Sequence, residues 1–150
     1  MAKIVVDQIV DASPEQVWLS WDDFGNIARF HPGLKSSHLL ADKPTGLGAT
    51  RQCDMKDGKN FIRERIIGYA PNERMEIDIY EGTMPLKRAV ATLTLSPAGA
   101  QKTRIQMNME FTPKFGVLGL LMIPMMKPQF RKLLQALLSK NAEHVMRSAA

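Results

Sequence analysis

Only one cysteine, Cys53, occurs in 150 residues, so no internal disulfide can form. The three histidines, His31, His38 and His144, stand nowhere at zinc-ligand spacing, and neither a metal nor a cofactor is expected. Such sparing use of thiols suits a reducing compartment. A glycine-rich phosphate loop, an HExxH helix and a GxSxG elbow are all missing, which removes the commonest nucleotide, zinc-protease and serine-hydrolase signatures. The longest apolar run, residues 117–126, reaches about half of a membrane span and contains Pro124, which argues against a transmembrane helix. The opening MAKIVVDQIVDAS places acids inside its apolar stretch and lacks the uninterrupted core of a secretory signal, so a cytoplasmic location is expected.

At 45% apolar and 23% charged, the chain reads as one globular domain over residues 1–150. Folding at this length buries roughly 68–70% of the extended chain's surface, enough for a core without staples. The net charge of +5 is unevenly spread: residues 1–30 carry net −3, whereas residues 113–150 hold six bases against Glu143. Those bases adjoin the most apolar segment and do not form the alternation of bases and aromatics that a base-stacking platform needs. A solvated helix face is the expected role, membrane-surface contact the next, and nucleic acid is set aside.

Ser13-Pro14-Glu15-Gln16 joins an N-cap serine, a proline at the first helical position and a glutamine three residues on, which starts a helix running to about Trp21. Residues 24–29 add a second short helix before His31-Pro32-Gly33 stops it. Residues 3–11 form a strand rich in Val and Ile. From Leu34 to Phe111, short strands are separated by turn chemistry such as Asp57-Gly58 and Pro71-Asn72, an antiparallel meander. Ile105, Met107, Met109 and Phe111 alternate with polar residues, as do Met75, Ile77 and Ile79; Ala89, Ala91, Leu93 and Leu95 form the inner face of the strand between them. Phe130, Leu133, Leu134, Leu137, Leu138 and Val145 then follow helical spacing. The architecture predicted is α+β: a curved antiparallel sheet wrapped around a long C-terminal helix, with two short helices closing one end.

The segments Ala12-Ser13-Pro14-Glu15-Gln16-Val17-Trp18, Asp23-Phe24-Gly25-Asn26 and Phe30-His31-Pro32-Gly33 resemble those of the START-like, helix-grip superfamily, and within it the polyketide cyclase/dehydrase and lipid-transport branch. Gly48-Ala49-Thr50-Arg51, Arg63-Glu64-Arg65-Ile66, Glu81-Gly82-Thr83-Met84-Pro85-Leu86 and Phe111-Thr112-Pro113 follow in that family's order, so the likeness covers nearly the whole chain. It implies a strand, two short helices, six more strands and a long helix, with a pocket between sheet and helix. It also implies that Glu64 and His31 reach that pocket. Pro124 and Pro128 depart from the pattern, and a break is expected between residues 115–123 and a second helical segment starting near Pro128.

Glu64 carries the sharpest chemical signal, because it shares a face with Ile62 and Ile66 and a carboxylate there needs a partner. A two-residue turn within Lys56-Asp57-Gly58-Lys59 places Arg51 opposite Glu64 and Cys53 opposite Ile62. An inward ion pair is therefore expected, either closing off the barrel end or meeting a ligand. Cys53 is read as a small hydrophobe, and Glu81 as a rim residue. The run 117–126 is apolar on all sides; burial beneath the strand loops is expected, with a homodimer contact and transient contact with an anionic membrane as alternatives.

The resulting expectation is a binder or carrier of a hydrophobic small molecule: a lipid, a polyketide-like compound or an isoprenoid. Ile62, Ile66, Ile77, Ile79, Ala89, Ala91, Met107, Met109 and Phe111 would form its apolar wall. Arg51, Glu64 and His31 would orient one polar end, and no residue is assigned a catalytic role. The alternatives are a cyclase/dehydrase-type enzyme moving a proton through His31 or Glu64, and a peripheral membrane or protein-interaction module built on residues 117–126.

Overall fold

The computed structural model describes residues 1–149. Strand β1 (Ala2–Val10) turns Ile4, Val6 and Val10 inward while Lys3, Val5, Asp7 and Ile9 meet solvent. The capping box then forms as the sequence indicates. Ser13 Oγ accepts from the Gln16 backbone N–H at 3.3 Å, and Ser13 N–H donates to Gln16 Oε1 at 3.0 Å, starting helix α1 (Pro14–Asp22). A 3₁₀ segment, Phe24–Arg29, follows. Strands β2 (Leu34–Leu39), β3 (Thr50–Met55), β4 (Phe61–Ala70), β5 (Arg74–Gly82), β6 (Leu86–Gly99) and β7 (Lys102–Pro113) form a meander, and helix α2 (Gly116–Ala149) ends the chain.

The seven strands lie in the order β1-β7-β6-β5-β4-β3-β2, antiparallel throughout. β1 and β2 are thus the two edges, and α1 with the 3₁₀ segment carries the chain from one edge to the other. The inward residues of the strands pack with Leu134, Leu137, Leu138, Ala142 and Val145 of α2 in one apolar core. Each such side chain contributes about 1.5–3 kcal/mol when fully buried. This is the α+β helix-grip arrangement that the sequence pattern predicts.

The hairpin between β3 and β4 keeps the expected register but not the expected turn. Arg51 pairs with Glu64 and Cys53 with Ile62, yet the ladder closes at Met55 and Asn60 around a four-residue loop. Asp57 holds that loop, its Oδ1 accepting from the backbone N–H of Lys59 and of Asn60, each at 2.8 Å. A two-residue and a four-residue loop centred on one point give the same pairing, so the inward placement survives.

Two expectations about α2 are overturned. The helix runs unbroken through Pro124 and Pro128. Both prolines lie four residues apart on the exposed side, so the carbonyls they leave without amide partners, those of Leu120 and Pro124, belong to solvent-exposed residues. Nor does residues 117–126 sit beneath the strand loops: Val117, Leu118 and Leu121 are 74%, 69% and 71% exposed. Only Gly119 and Met126 of this run are buried. Phe115 and Gly116, both left-handed with φ of 73° and 53°, turn the chain from β7 into α2. Gly119 then presses on the Lys114 carbonyl, where any Cβ would collide.

A polar tether fixes the other half of α2. Asn141 is fully buried; its Oδ1 accepts from Trp21 Nε1 at 3.0 Å, and its Nδ2 donates to Ser20 Oγ at 2.9 Å. Replacing Asn141 by Ala leaves the indole N–H without its partner in a dry setting, at a cost of about 1–3 kcal/mol. Urea denaturation of Asn141→Ala should show that loss; an unchanged midpoint would mean the tether contributes nothing.

Candidate functional site

The 3₁₀ segment and the β3–β4 hairpin together position the charged groups. Arg51 and Glu64, cross-strand neighbours, meet through Nε and Oε1 at 2.9 Å with side chains only 3% and 9% exposed. Phe24 supports the arginine twice: its carbonyl accepts from Nη1 at 3.0 Å, and its ring lies 3.8 Å beneath the guanidinium carbon. Cys53 donates its thiol proton to the same Glu64 Oε1 at 3.4 Å. Burial, reinforced by the Glu64 charge, pushes the Cys53 thiol well above its ordinary range, so it serves as a donor rather than a nucleophile.

Both protein contacts of the carboxylate converge on Oε1. Oε2 has no hydrogen-bond partner among the described residues. His31, in the loop after the 3₁₀ segment, shows a similar asymmetry. Its Nδ1 accepts from the Gly33 N–H at 3.0 Å. Burial lowers its pKa to about 4, Glu64 opposing and Arg51 adding to the effect. The imidazole is therefore neutral at pH 7, and with Nδ1 occupied as an acceptor the proton is assigned to Nε2, a donor with no protein partner among the described residues.

These groups border a cavity of about 110 Å³ between the concave sheet face and α2. Of the residues singled out in the sequence, His31, Arg51, Glu64, Ile62, Ile77, Ile79, Ala91, Met107 and Met109 line it. Ile66, Ala89 and Phe111 do not. Ile66 and Ala89 are buried in the surrounding core, and Phe111, also buried, packs edge to face on the lining residue Phe130 with ring centroids 5.0 Å apart. Strand parity identifies the face a residue takes, not how far along the strand the hollow extends.

The wall also uses residues that parity within the sheet does not reveal. Trp21 and Ile27 come from the end-closing segments, Leu34 and Leu86 from the first positions of β2 and β6, Met84 from the β5–β6 connection, and Phe130, Leu133, Leu134 and Leu137 from α2. The helical residues were visible as an apolar stripe; their facing a hollow was not. Glu81 lies outside the cavity because β5 carries one extra residue, Tyr80, opposite the Arg63–Glu64 step. This bulge reverses the alternation, and Glu81 meets Arg63 at 3.1 Å on the outer side. Among the described residues, no group of three His, Cys, Asp or Glu is placed to hold a metal ion.

The lowered His31 pKa has a definite consequence for stability. Between pH 6.5 and about 4 the unfolded chain binds a proton that the native ring refuses, so native stability falls as pH drops through this window. Ring titration by NMR should place His31 near 4, and His31→Gln should lose less stability than the parent between neutral pH and pH 4. A ring midpoint near 6.5 would contradict the burial of this imidazole.

Comparison with known proteins agrees with this fold. The family described as polyketide cyclase/dehydrase and lipid transport matches residues 1–145. Three solved structures superpose closely. The Zhui aromatase/cyclase of Streptomyces sp. R1128 has TM-score 0.85 at 13% identity, covering 99% of this chain and 96% of that one. A START superfamily protein of Mycobacterium smegmatis has TM-score 0.80 at 19% identity, covering 97% of each chain. The XoxI protein of Bacillus cereus has TM-score 0.81 at 18% identity, covering 100% and 99%. No protein of curated function matches. At these identities the structures speak for the fold alone, whereas the family match spans the sequence itself: the chain belongs to the polyketide cyclase/dehydrase and lipid-transport family.

Proposed function

We propose that this protein binds a small hydrophobic molecule bearing one neutral polar group, such as a phenol, an alcohol or a ketone of polyketide, isoprenoid or lipid origin. The observation that carries this reading is the pair of uncommitted polar atoms, Glu64 Oε2 and His31 Nε2, on residues that border an otherwise apolar hollow. A ligand hydroxyl can donate to the first and accept from the second. A ligand carboxylate would instead meet the Glu64 charge, which disfavours free acids.

The size of the hollow limits the body of the ligand. About 110 Å³ is of the order of the ~150 Å³ apolar cavity that admits a benzene-sized guest. Met55, Met84, Met107 and Met109 line it, and these unbranched thioethers can move to admit a longer chain.

A cyclase/dehydrase-type enzyme is the second reading, favoured by the same free Oε2, which among the described residues is the only unpaired carboxylate oxygen at the cavity. His31 fits that role poorly, since its Nδ1 is occupied and its Nε2 already bears a proton.

Calorimetry with 4-ethylphenol and with a carboxylic acid of similar size tests the binding reading. Ala91 sits between Ile77 and Met109 on the cavity wall, so Ala91→Trp should fill the hollow and weaken the phenol at least about tenfold. Ala91→Leu, a milder filling, controls for misfolding and should weaken it less. Phenol affinity unaltered in both folded variants would refute the site, and preference for the acid would refute the polar assignment. Glu64→Gln that retains binding but abolishes turnover of a polyketide analogue would favour the enzyme.

A further inference from the structure

The first half of α2 presents an apolar surface that nothing in the fold covers. Along the helix, Val117, Leu121, Pro124 and Pro128 follow one line, with Leu118 and Met125 beside it, and all of them are exposed. Phe115, at the left-handed entry to the helix, is 67% exposed as well. A monomer has no folding reason to leave so many large apolar side chains contiguous in water, and patches of this kind mark contact with a partner or a membrane.

Charge selects between those occupants. Lys132 flanks the line on one side and Arg131 on the other, while Lys114 and Lys127 stand near its two ends. Between Glu110 and Glu143 the chain has no acidic residue at all. Glu81, which shares the adjoining groove with Lys87 and Lys114, is already paired with Arg63. A second copy docked face to face would set these bases against one another with no acid on that half of the helix to answer them. A layer of anionic headgroups over acyl chains complements both features. We propose that the exposed first half of α2 docks the protein on an anionic lipid bilayer, lying in the interface without crossing it; among the described residues no helix is long and apolar enough to cross a membrane.

This surface adjoins the cavity. Lys114 N–H donates to the Pro85 carbonyl at 3.0 Å, which ties the start of α2 to the loop whose neighbours Met84 and Leu86 border the hollow. Docking would set that edge of the cavity against lipid. The docking proposal stands on the patch and its bases, whatever the cavity holds.

Flotation with vesicles provides the test, using equal parts phosphatidylcholine and phosphatidylglycerol in one arm and phosphatidylcholine alone in the other. The native chain should float with the anionic vesicles, weakly with the neutral ones, and less as salt is raised. The double substitution Val117→Asp with Leu121→Asp, at exposed positions that leave the core untouched, should reduce the floated fraction about tenfold while circular dichroism stays unchanged. Absence of flotation in the native chain, or equal flotation of the substituted one, overturns the proposal. So does a native dimer in sedimentation that the same substitutions dissociate, since the face would then belong to a second copy.

Discussion

A buried ion pair with one oxygen left over organises the cavity end of this molecule. Arg51 is answered by Glu64 and by the Phe24 carbonyl and ring, so the cation is well housed. Glu64 is answered only on one side. Buried pairs seldom stabilise a fold relative to well-packed apolar side chains, because desolvating both charges offsets their attraction. A fold with an ample apolar core gains little from such a pair as a strut. On the proposed function, Arg51 would keep a carboxylate ready at the hollow, and its free oxygen would present an acceptor to a ligand.

The rest of the architecture places that acceptor. β3 and β4 bring the pair together by cross-strand register, the 3₁₀ segment delivers Phe24 beneath the arginine, and the loop after it brings His31 to the same cavity. The Trp21–Asn141–Ser20 tether anchors the second half of α2, while the first half buries Met126 and leaves Val117, Leu118 and Leu121 exposed as an apolar surface flanked by bases. The two halves of one helix thus do different work. One is a core element; the other packs Met126 against the core and turns a row of apolar side chains to solvent.

Much of this was legible in the sequence because it depends on local rules. Alternation in β5, β6 and β7 identified the inward faces, Ser13 to Gln16 announced α1, and the Asp57-Gly58 centre aligned Arg51 with Glu64. What escaped depends on tertiary placement. A loop of four residues and one of two share a centre, so the turn could not be told from the register. Glu81, read as a rim residue, does stand outside the hollow, but the inserted Tyr80 that turns it outward has no signal in the composition of β5. Pro124 and Pro128 read as helix breakers because sequence does not say which side of a helix faces water. Ile66, Ala89 and Phe111 have the right parity but lie where the core is filled.

The central claim, that Arg51 and Glu64 are held for recognition and not for stability, is tested most directly by replacing both at once. In the double variant Arg51→Met with Glu64→Leu, denaturant unfolding should give a stability equal to or above that of the parent, within about 1 kcal/mol. Uptake of a phenol measured on the same preparation should be lost, while an alkyl benzene without the hydroxyl should still enter. A double variant that is several kcal/mol less stable yet binds the phenol as the parent does would show the pair to be a structural strut and would contradict the account.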